Sequence, residues 1–351
     1  MNTIIKPQIS ILMAVYNTDK FLQEAIESVI YQSYTDWELI CINNGSTDSC
    51  QSILNSFKET DSRIVIINKP HGSASSARNT GLGISRGLFI VMLDSDDKIE
   101  ANYLNKLIKR YEETKADIIL SSMEYWDSDK DLVTRTLRGL KGDITPIITG
   151  KEAFLLSLDW QIGGIGLHTA SALRNIGYDE TGINGEEYTT RLLFLNSKCV
   201  AFCDAEYFYR NNPNSTTRKF SADHFTLLIN YFRLFQLVKT NDFSESIIRL
   251  NKEKLFKLLM AFNVSYFVTR KQFSSNEKEN IINILKDCTN LMSQEISLKP
   301  VLGSKPKNIF FIFFLSNWHI TLFLSVLWAA KEKLSRIVLK KIVKLKNKNE
   351  L

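Results

Sequence analysis

The sequence predicts an α/β protein built on a doubly wound, mostly parallel sheet. Two observations predict it: short apolar runs alternate with amphipathic segments at helical spacing, and the connections between them are short and polar. Such alternation is typical of βαβ units. A chain of 351 residues is long enough for one large domain of this class plus something smaller.

Five apolar runs are predicted to be strands. They cover residues 9–15, 37–42, 64–67, 88–93 and 117–120. Continuous apolar runs of this length are typical of strands buried on both faces of a parallel sheet. Helices are expected between them, because apolar residues recur every three or four positions. The first helix carries Phe21, Leu22, Ala25, Ile26 and Val29.

The pattern changes along the second half of the chain. Residues 126–146 are polar and irregular, which indicates a hairpin or loop, and a glycine-rich stretch at 163–166 precedes a helix near 187–195. After residue 217, helix-length amphipathic segments follow without strands. We therefore predict an α/β domain over 1–217, a helical subdomain over 218–300 and an apolar and basic tail over 301–351.

Charge and cysteine content restrict the class of protein. The net charge is +6, but the residues from Lys305 onward include ten basic and two acidic residues, so the rest of the chain is slightly acidic. Binding of nucleic acid is therefore not expected. Five scattered cysteines suit a reducing compartment, and the polar first ten residues do not resemble a signal peptide. We expect a cytoplasmic protein.

The tail is predicted to associate with a membrane. Residues 309–330 are the most apolar stretch, and their length could cross a bilayer, although polar residues interrupt them. Behind them, residues 334–345 place apolar side chains on one helical face and lysines on the other. This pattern favours a segment lying in the interface of an anionic membrane. A spanning helix and a helix packed on the catalytic domain remain alternatives.

Polar side chains follow each of the first four predicted strands. These strand ends are Tyr16-Asn17, Asn43-Asn44-Gly45, His71-Gly72 and Asp94-Ser95-Asp96-Asp97. Ligands of open parallel sheets bind beyond the carboxyl ends of the strands. Four such ends at one edge predict a binding site there.

Three aspartates within four positions would repel one another unless a cation neutralised them. Carboxylate oxygens suit Mg²⁺ or Mn²⁺, which commonly bridges one or two carboxylates to a diphosphate. The alternative, an N-terminal helix cap, would explain Asp97 but not all three residues. A phosphate-binding P-loop and a dinucleotide-binding glycine motif are both missing from the sequence.

Four segments in order carry a family resemblance: ISILMAVYN, INNGSTD, HGSASSARNTGL and FIVMLDSDD. Together they resemble the family-2 nucleotide-sugar glycosyltransferases of the bacterial surface-polysaccharide type, which have the Rossmann-like GT-A fold. The resemblance covers residues 8–100 and resumes near 178–217. It implies an inverting, metal-dependent transferase that uses a nucleotide-diphosphate sugar.

The resemblance assigns donor-binding roles to residues after the first strands. Tyr16 would stack on the nucleobase, and the backbone of Ala14, Val15 and Tyr16 would line the base pocket. Asn44 stands where the family usually has a carboxylate that contacts uracil, so recognition of UDP is less direct here. Arg78 would neutralise the diphosphate; its alternative role is a surface ion pair.

The resemblance also assigns the aspartates and the later acidic pair. Asp94 would approach the ribose or the metal, Asp96 would bind the metal, and Ser95 would contact the donor. Arg210 would close over the diphosphate or the acceptor. Asp97 is a weaker candidate.

Glu186 and Glu187 occupy the place of the family's acidic pair, which contains the general base. A base is needed because an acceptor hydroxyl is a poor nucleophile. We favour Glu187, although Asp is common at this position in the family, and a charged helix start is the alternative. His168 and Trp160 could line the acceptor pocket or simply pack.

The resemblance implies transfer of a hexose or N-acetylhexosamine, from UDP in particular, to a hydroxyl of a lipid-linked glycan at the inner face of a bacterial membrane. The Q-x-x-R-W signature of processive synthases is missing from the sequence, which favours one transfer per encounter. Two other hypotheses stay open. They are a catalytically silent module that binds a nucleotide or glycan, and a nucleotidyltransferase that would release pyrophosphate.

Overall fold

A computed structural model describes residues 6–212 and 220–295. The chain divides into two compact units, one ending at Lys219 and the other beginning at Phe220. The predicted membrane-binding tail lies outside the described residues. Among the helices that are described, none combines the length and apolar character needed to cross a membrane.

The first unit contains ten strands and seven helices within its described residues. The strands are β1 (Ile9–Val15), β2 (Trp37–Asn43), β3 (Ile64–Asn68), β4 (Phe89–Met92), β5 (Lys98–Ile99), β6 (Ile118–Asp127), β7 (Leu132–Leu137), β8 (Ile147–Thr149), β9 (Gly166–Thr169) and β10 (Cys199–Arg210). The helices are α1 (Asp19–Ile30), α2 (Cys50–Thr60), α3 (Ala74–Ile84), α4 (Tyr103–Thr114), α5 (Gly150–Leu158), α6 (Ala170–Ile176) and α7 (Gly185–Asn196).

All the described strands form one sheet. Its main order is β3-β2-β1-β4-β9-β6-β10-β5, with β7 paired to β6 and β8 to β10. Strands β3, β2, β1 and β4 are parallel neighbours, as the apolar runs predict. Strands β1 and β2 are buried almost throughout, because helices cover both faces of a doubly wound sheet. Their carboxyl ends meet at one edge.

The sheet is mixed in its second half. Strand β9 is antiparallel to both β4 and β6, and β10 is parallel to β6 but antiparallel to β5 and β8. The glycine-rich stretch is thus partly a central strand. A Cβ on Gly166 would lie 2.0 Å from the carbonyl oxygen of Ile119, so glycine permits the two backbones to approach. The polar stretch after β6 is a hairpin with β7, as predicted.

The second unit is helical in its described part. Its helices are α8 (Leu227–Thr240), α9 (Glu245–Thr269) and α10 (Ser275–Glu295). Phe225 is fully buried and packs edge-to-face against Phe262, Tyr266 and Phe273. Aromatic pairs of this geometry add to the stabilisation from area burial alone. The unit therefore has a core of its own.

Candidate functional site

Tyr16 follows β1 at the carboxyl edge of the sheet and keeps 41% of its surface exposed. Its ring stacks on the exposed imidazole of His71, with centroids 4.0 Å apart and planes inclined by 27°. The neighbouring backbone is tied to β2, because Val15 accepts a hydrogen bond from the amide of Asn44. Ala14 and Val15 pair with Ile42 and Asn43 in the same register. The structure therefore places an accessible aromatic pair where the nucleobase is expected.

Asn44 is buried and uses both ends of its side-chain amide within the protein. Its Nδ2 donates to the Gly72 carbonyl at 2.7 Å, and its Oδ1 accepts from the Gly72 amide at 3.0 Å. Lys69 Nζ also donates to Oδ1, at 3.2 Å. Asn44 thus fixes the loop that leads into α3, and its predicted contact with a base remains a prediction.

The Asn44 side chain gives a stability prediction. In Asn44→Asp the carboxylate cannot donate to the Gly72 carbonyl, so a buried acceptor would face another acceptor. We expect the variant to lose about 1–3 kcal/mol of unfolding free energy. Denaturant unfolding followed by circular dichroism measures this loss.

Asn55→Asp is the matched control, because exposed Asn55 already uses Oδ1 as an acceptor from Gln51. If wild type and Asn44→Asp were equally stable, the Asn44 amide would not stabilise the protein by joining the loop after β2 to the loop that contains Gly72.

The loop after β4 is held by the far end of β10. Tyr207 hydroxyl accepts from the Asp94 amide at 3.1 Å and donates to Asp97 Oδ2 at 2.7 Å. The Arg210 amide donates to Asp97 Oδ1 at 2.7 Å. Burial first, and then Asp94 and Asp96, raise the pKa of Asp97 well above its usual range. Asp97 therefore organises the loop, in keeping with its lower rank as a metal ligand.

Asp94 and Asp96 are the carboxylates of this loop that remain for a ligand. Asp96 Oδ2 accepts from Asn212 Nδ2 at 2.9 Å, and burial, followed by the charge of Asp94, raises its pKa. Ser95 between them is buried and accepts from the Thr18 hydroxyl at 3.0 Å. Since the charge of Asp94 contributes to raising the pKa of Asp96, a cation bound beside the two carboxylates would relieve their repulsion.

The carboxylate oxygen atoms of this loop fit a divalent cation whose remaining ligands would be oxygen atoms of a diphosphate. Both side chains offer hard oxygen atoms, and Mg²⁺ or Mn²⁺ typically takes one or two carboxylates plus phosphate oxygens. In the part of the chain that the structure describes, no group of three or more His, Cys, Asp or Glu side chains surrounds a common point. A cation here would accordingly depend on the substrate for the rest of its ligands.

Arg78 links the loop of residues 94–97, called the aspartate loop below, to α7. Its side chain, on α3, is 4% exposed; Nη2 bonds Asp94 Oδ1 at 2.6 Å, and Nη1 lies 3.6 Å from Glu186 Oε2. Burial lowers the pKa of Arg78, but Asp94 and Glu186 raise it by more, so the guanidinium stays charged. Arg78 thus forms ion pairs that are buried and not at the surface, and its contact with a diphosphate remains a prediction.

Glu186 and Glu187 begin α7 but have different partners. Glu186 approaches Arg78, and burial, partly offset by Arg78, raises the pKa of its carboxyl group. Glu187 bonds through Oε2 to Arg191 one turn later, and its side chain is one-third exposed. Within the described residues, Oε1 of Glu187 has no hydrogen-bond partner. Glu186 therefore lies near Arg78 and the aspartates, whereas Glu187 is paired with Arg191, which also bonds the end of α5.

Arg210 is almost fully buried in this structure. Its guanidinium lies between the rings of Phe21 and Trp126, at 4.7 and 4.4 Å from their centroids, and bonds Glu24. Its Nε donates to the carbonyl of Asp96 at 2.6 Å. Arg210 thus supports the aspartate loop from behind, and a direct contact with the diphosphate remains a prediction.

His168 lies in β9 and is buried, so it packs within the sheet. Its Nε2 bonds the Gly164 carbonyl at 3.0 Å, whereas Nδ1 has no hydrogen-bond partner within the described residues. Burial, partly offset by that bond, lowers the pKa of His168 to about 4. The histidine is therefore neutral in the folded protein near neutral pH.

A pH dependence of stability follows from His168. The unfolded chain binds a proton near pH 6.5 and the folded chain only near pH 4, so stability is complete above pH 6.5 and falls as the pH drops toward 4. The expected contribution is about 3 kcal/mol. Urea unfolding between pH 4 and 7 measures it.

His168→Gln should flatten this part of the profile, because glutamine carries no titratable group. An unchanged profile in His168→Gln would assign the slope to other groups.

The sequence did not reveal several residues that build this site. Tyr207, Asn212 and Glu24 contact the aspartate loop or its support, but nothing in their local pattern distinguishes them from ordinary strand and helix residues. Asn212 lies two residues after Arg210, to which the family resemblance assigns a role. His71 lies at one of the predicted strand ends, but the resemblance assigns it no role.

Comparisons with known proteins show which proteins this chain is similar to. Residues 10–175 match the model of Glycosyl transferase family 2. GlyG, a glycosyltransferase of Streptococcus pneumoniae, is 26% identical over 230 residues, which cover 60% of this chain and 73% of GlyG. The poly(ribitol-phosphate) beta-glucosyltransferase of Bacillus spizizenii is 32% identical over 121 residues, or 33% of this chain and 19% of that protein. The chain spans less than two thirds of several other curated relatives.

A solved structure is similar over nearly the whole chain. S. aureus TarS 1–349, in complex with UDP, superimposes with a TM-score of 0.61 at 15% identity and covers 93% of this chain and 92% of that one. At this identity the likeness shows the fold, which is the GT-A fold with a helical C-terminal region.

Proposed function

We propose that this chain is a family-2 glycosyltransferase, and more specifically an inverting, metal-dependent hexosyl- or N-acetylhexosaminyltransferase. Its donor is a nucleotide-diphosphate sugar, with UDP favoured, and its acceptor is a hydroxyl of a lipid-linked surface glycan. The observation that carries the proposal is the joined group of Asp94, Arg78 and Glu186 at the carboxyl edge of the sheet. In this group the loop proposed to bind the metal, the buried guanidinium of Arg78 and the first residue of the acidic pair of α7 lie next to one another.

The donor half of the site consists of the aspartate loop and Arg78. Asp94 and Asp96 would hold Mn²⁺ or Mg²⁺, which when bound stabilises negative charge on the departing diphosphate. Arg78 remains protonated and fixed by Asp94, so it supplies positive charge without rearranging. Tyr16 and His71 would pack against the base. This half binds and orients the donor.

The acceptor half is Glu187 and its surroundings. We assign Glu187 as the general base because Oε2 is held by Arg191 while Oε1 is available to a hydroxyl. Glu187 would take the proton of the acceptor hydroxyl while its oxygen forms a bond to the sugar C1. The bond between C1 and the diphosphate oxygen breaks on the opposite face, which inverts the anomeric centre. Glu186, close to Arg78, would keep the donor half in position.

The acceptor class and location rest on the sequence outside the described residues. The apolar segment 309–330, together with the apolar residues and lysines that recur over 334–345 in the sequence, suits an anionic membrane at the cytoplasmic side. Similarity to a glucosyltransferase named for poly(ribitol phosphate) supports a surface-polymer acceptor. Placement at the membrane would put the enzyme at the surface where a lipid-linked acceptor is held.

A silent binding module of the same fold is the second candidate. One observation favours it: the side-chain amide of Asn44 is bonded to Gly72. The nucleobase of a donor would therefore have one polar contact fewer than the resemblance implies. Such a module would bind UDP or a glycan without breaking the donor.

Release of nucleoside diphosphate tests the proposal against this candidate. The full chain is incubated with UDP-glucose, UDP-galactose, UDP-N-acetylglucosamine, GDP-mannose or dTDP-glucose, with Mn²⁺ and a bacterial lipid extract. We expect release from a UDP-sugar that stops on addition of EDTA. Binding of UDP without release from any donor would favour the silent module, and release that persists in EDTA would remove the metal from the proposal.

A further inference from the structure

Trp160 is a large aromatic side chain in an unusual position. It follows α5 directly, keeps 47% of its surface exposed, and has a backbone φ of +55°. Non-glycine residues rarely adopt this left-handed conformation, which costs free energy unless the surroundings impose it. The backbone of the loop thus holds an indole at the surface.

The indole is connected to the proposed base by one guanidinium. The Cζ atom of Arg191 lies 5.0 Å from the centroid of the Trp160 ring, and Arg191 bonds both the carbonyl and Oε2 of Glu187. Its Nη2 also donates to the carbonyl of Ser157 at 3.0 Å, at the end of α5. Since Arg191 is 5% exposed, these contacts fix the ring relative to the Glu187 carboxylate.

The surroundings of the ring favour a sugar over another protein. Asp159 and Gln161 on either side are exposed and polar, so the indole is an isolated aromatic in this part of the loop. Protein interfaces generally present contiguous apolar patches. A hexopyranose has one face of C–H groups and an edge of hydroxyls, which matches an aromatic surface bordered by polar side chains and a cation.

We propose that Trp160 is the platform on which the acceptor sugar stacks, with the hexopyranose ring over the exposed indole and the accepting hydroxyl directed to Glu187. This inference rests on the proposed function, because it takes Glu187 as the base. It names the acceptor as a pyranose ring at its reacting end. Trp160 is then a binding residue, and Arg191 a positioning residue between platform and base.

Saturation-transfer NMR on the full chain tests the platform with simple probes. The probes are methyl β-glucoside, methyl β-galactoside and methyl N-acetyl-β-glucosaminide, each in the presence of UDP and Mn²⁺. We expect saturation of the ring protons of at least one probe, lowered about fivefold or more in Trp160→Ala and partly kept in Trp160→Phe. Tyr31→Ala, which removes another exposed aromatic, should leave it unchanged.

Calorimetric titration with UDP separates the platform from the donor site. UDP affinity should be the same in wild type and Trp160→Ala. The inference is overturned if none of the three probes is saturated by wild type, if Trp160→Ala saturates them equally, or if it loses UDP affinity in parallel. If wild type binds a probe through Trp160 but neither binds UDP nor cleaves any donor, the platform stands and the proposed function fails.

Discussion

Replacing Asp96 by alanine is expected to lower sugar transfer by about 10³-fold or more while the protein stays folded. The carboxylate is one of two that would hold the metal, and the aspartate loop keeps its shape without it, because Asp97 bonds Tyr207 and Arg210. Activity at saturating Mn²⁺ and the Mn²⁺ affinity in the presence of UDP measure the effect.

Asp129→Ala is the matched control, since Asp129 is exposed in the turn between β6 and β7. Circular dichroism and the unfolding midpoint of Asp96→Ala should stay close to those of wild type. Burial raises the pKa of Asp96, so removing the charge does not cost folding stability in itself. Transfer by Asp96→Ala at the wild-type rate would end its assignment to the metal.

Replacing Glu187 by glutamine is expected to lower kcat by about 10²–10⁴-fold with little change in donor affinity. The amide preserves the size of the side chain and can still accept from Arg191, but it cannot take up a proton. Single-turnover transfer and a UDP titration measure the two quantities separately.

Glu186→Gln distinguishes the two members of the acidic pair. Because Glu186 lies beside Arg78 and Asp94, its replacement should change donor affinity as well as turnover. Glu112→Gln, on the exposed face of α4, serves as the surface control. Should Glu186→Gln lose turnover alone while Glu187→Gln keeps it, the base would be Glu186.

The carboxyl edge of the sheet was predictable because it depends on local sequence. Apolar runs define β1 to β4, parallel strands end at one edge, and polar residues follow each of them. Tyr16 and Asp94 therefore fall where the sequence places them. The antiparallel strand β9 was not predictable in this way, because it is only four residues long. It also begins at Gly166, where the lack of a side chain lets the backbone approach that of Ile119.

The partners of the site residues were harder to predict, because they are distant along the chain. From the sequence, the side chain of Asn44 is expected to contact the nucleobase. In the structure, its Nδ2 and Oδ1 atoms both bond the backbone of Gly72, 28 residues later. Glu186 and Glu187 have different environments because α7 is oriented so that Glu186 faces Arg78 of α3, whereas Glu187 pairs with Arg191 one turn later in the same helix. Neighbouring residues of one sequence motif can thus serve opposite halves of a site.

The bonds from Tyr207, Arg210 and Asn212 to the aspartate loop have a consequence for the order of synthesis. The loop residues Asp94–Asp97 leave the ribosome early, but the residues that hold the loop come more than 100 positions later in the chain. Until they pair, Asp97 lacks both donors, and its burial beside Asp94 and Asp96 is opposed by repulsion. A nascent chain that ends at residue 175, where the family match ends, therefore lacks the residues that hold this loop. The loop can take its folded shape once β10 and the residues just after it have been synthesised.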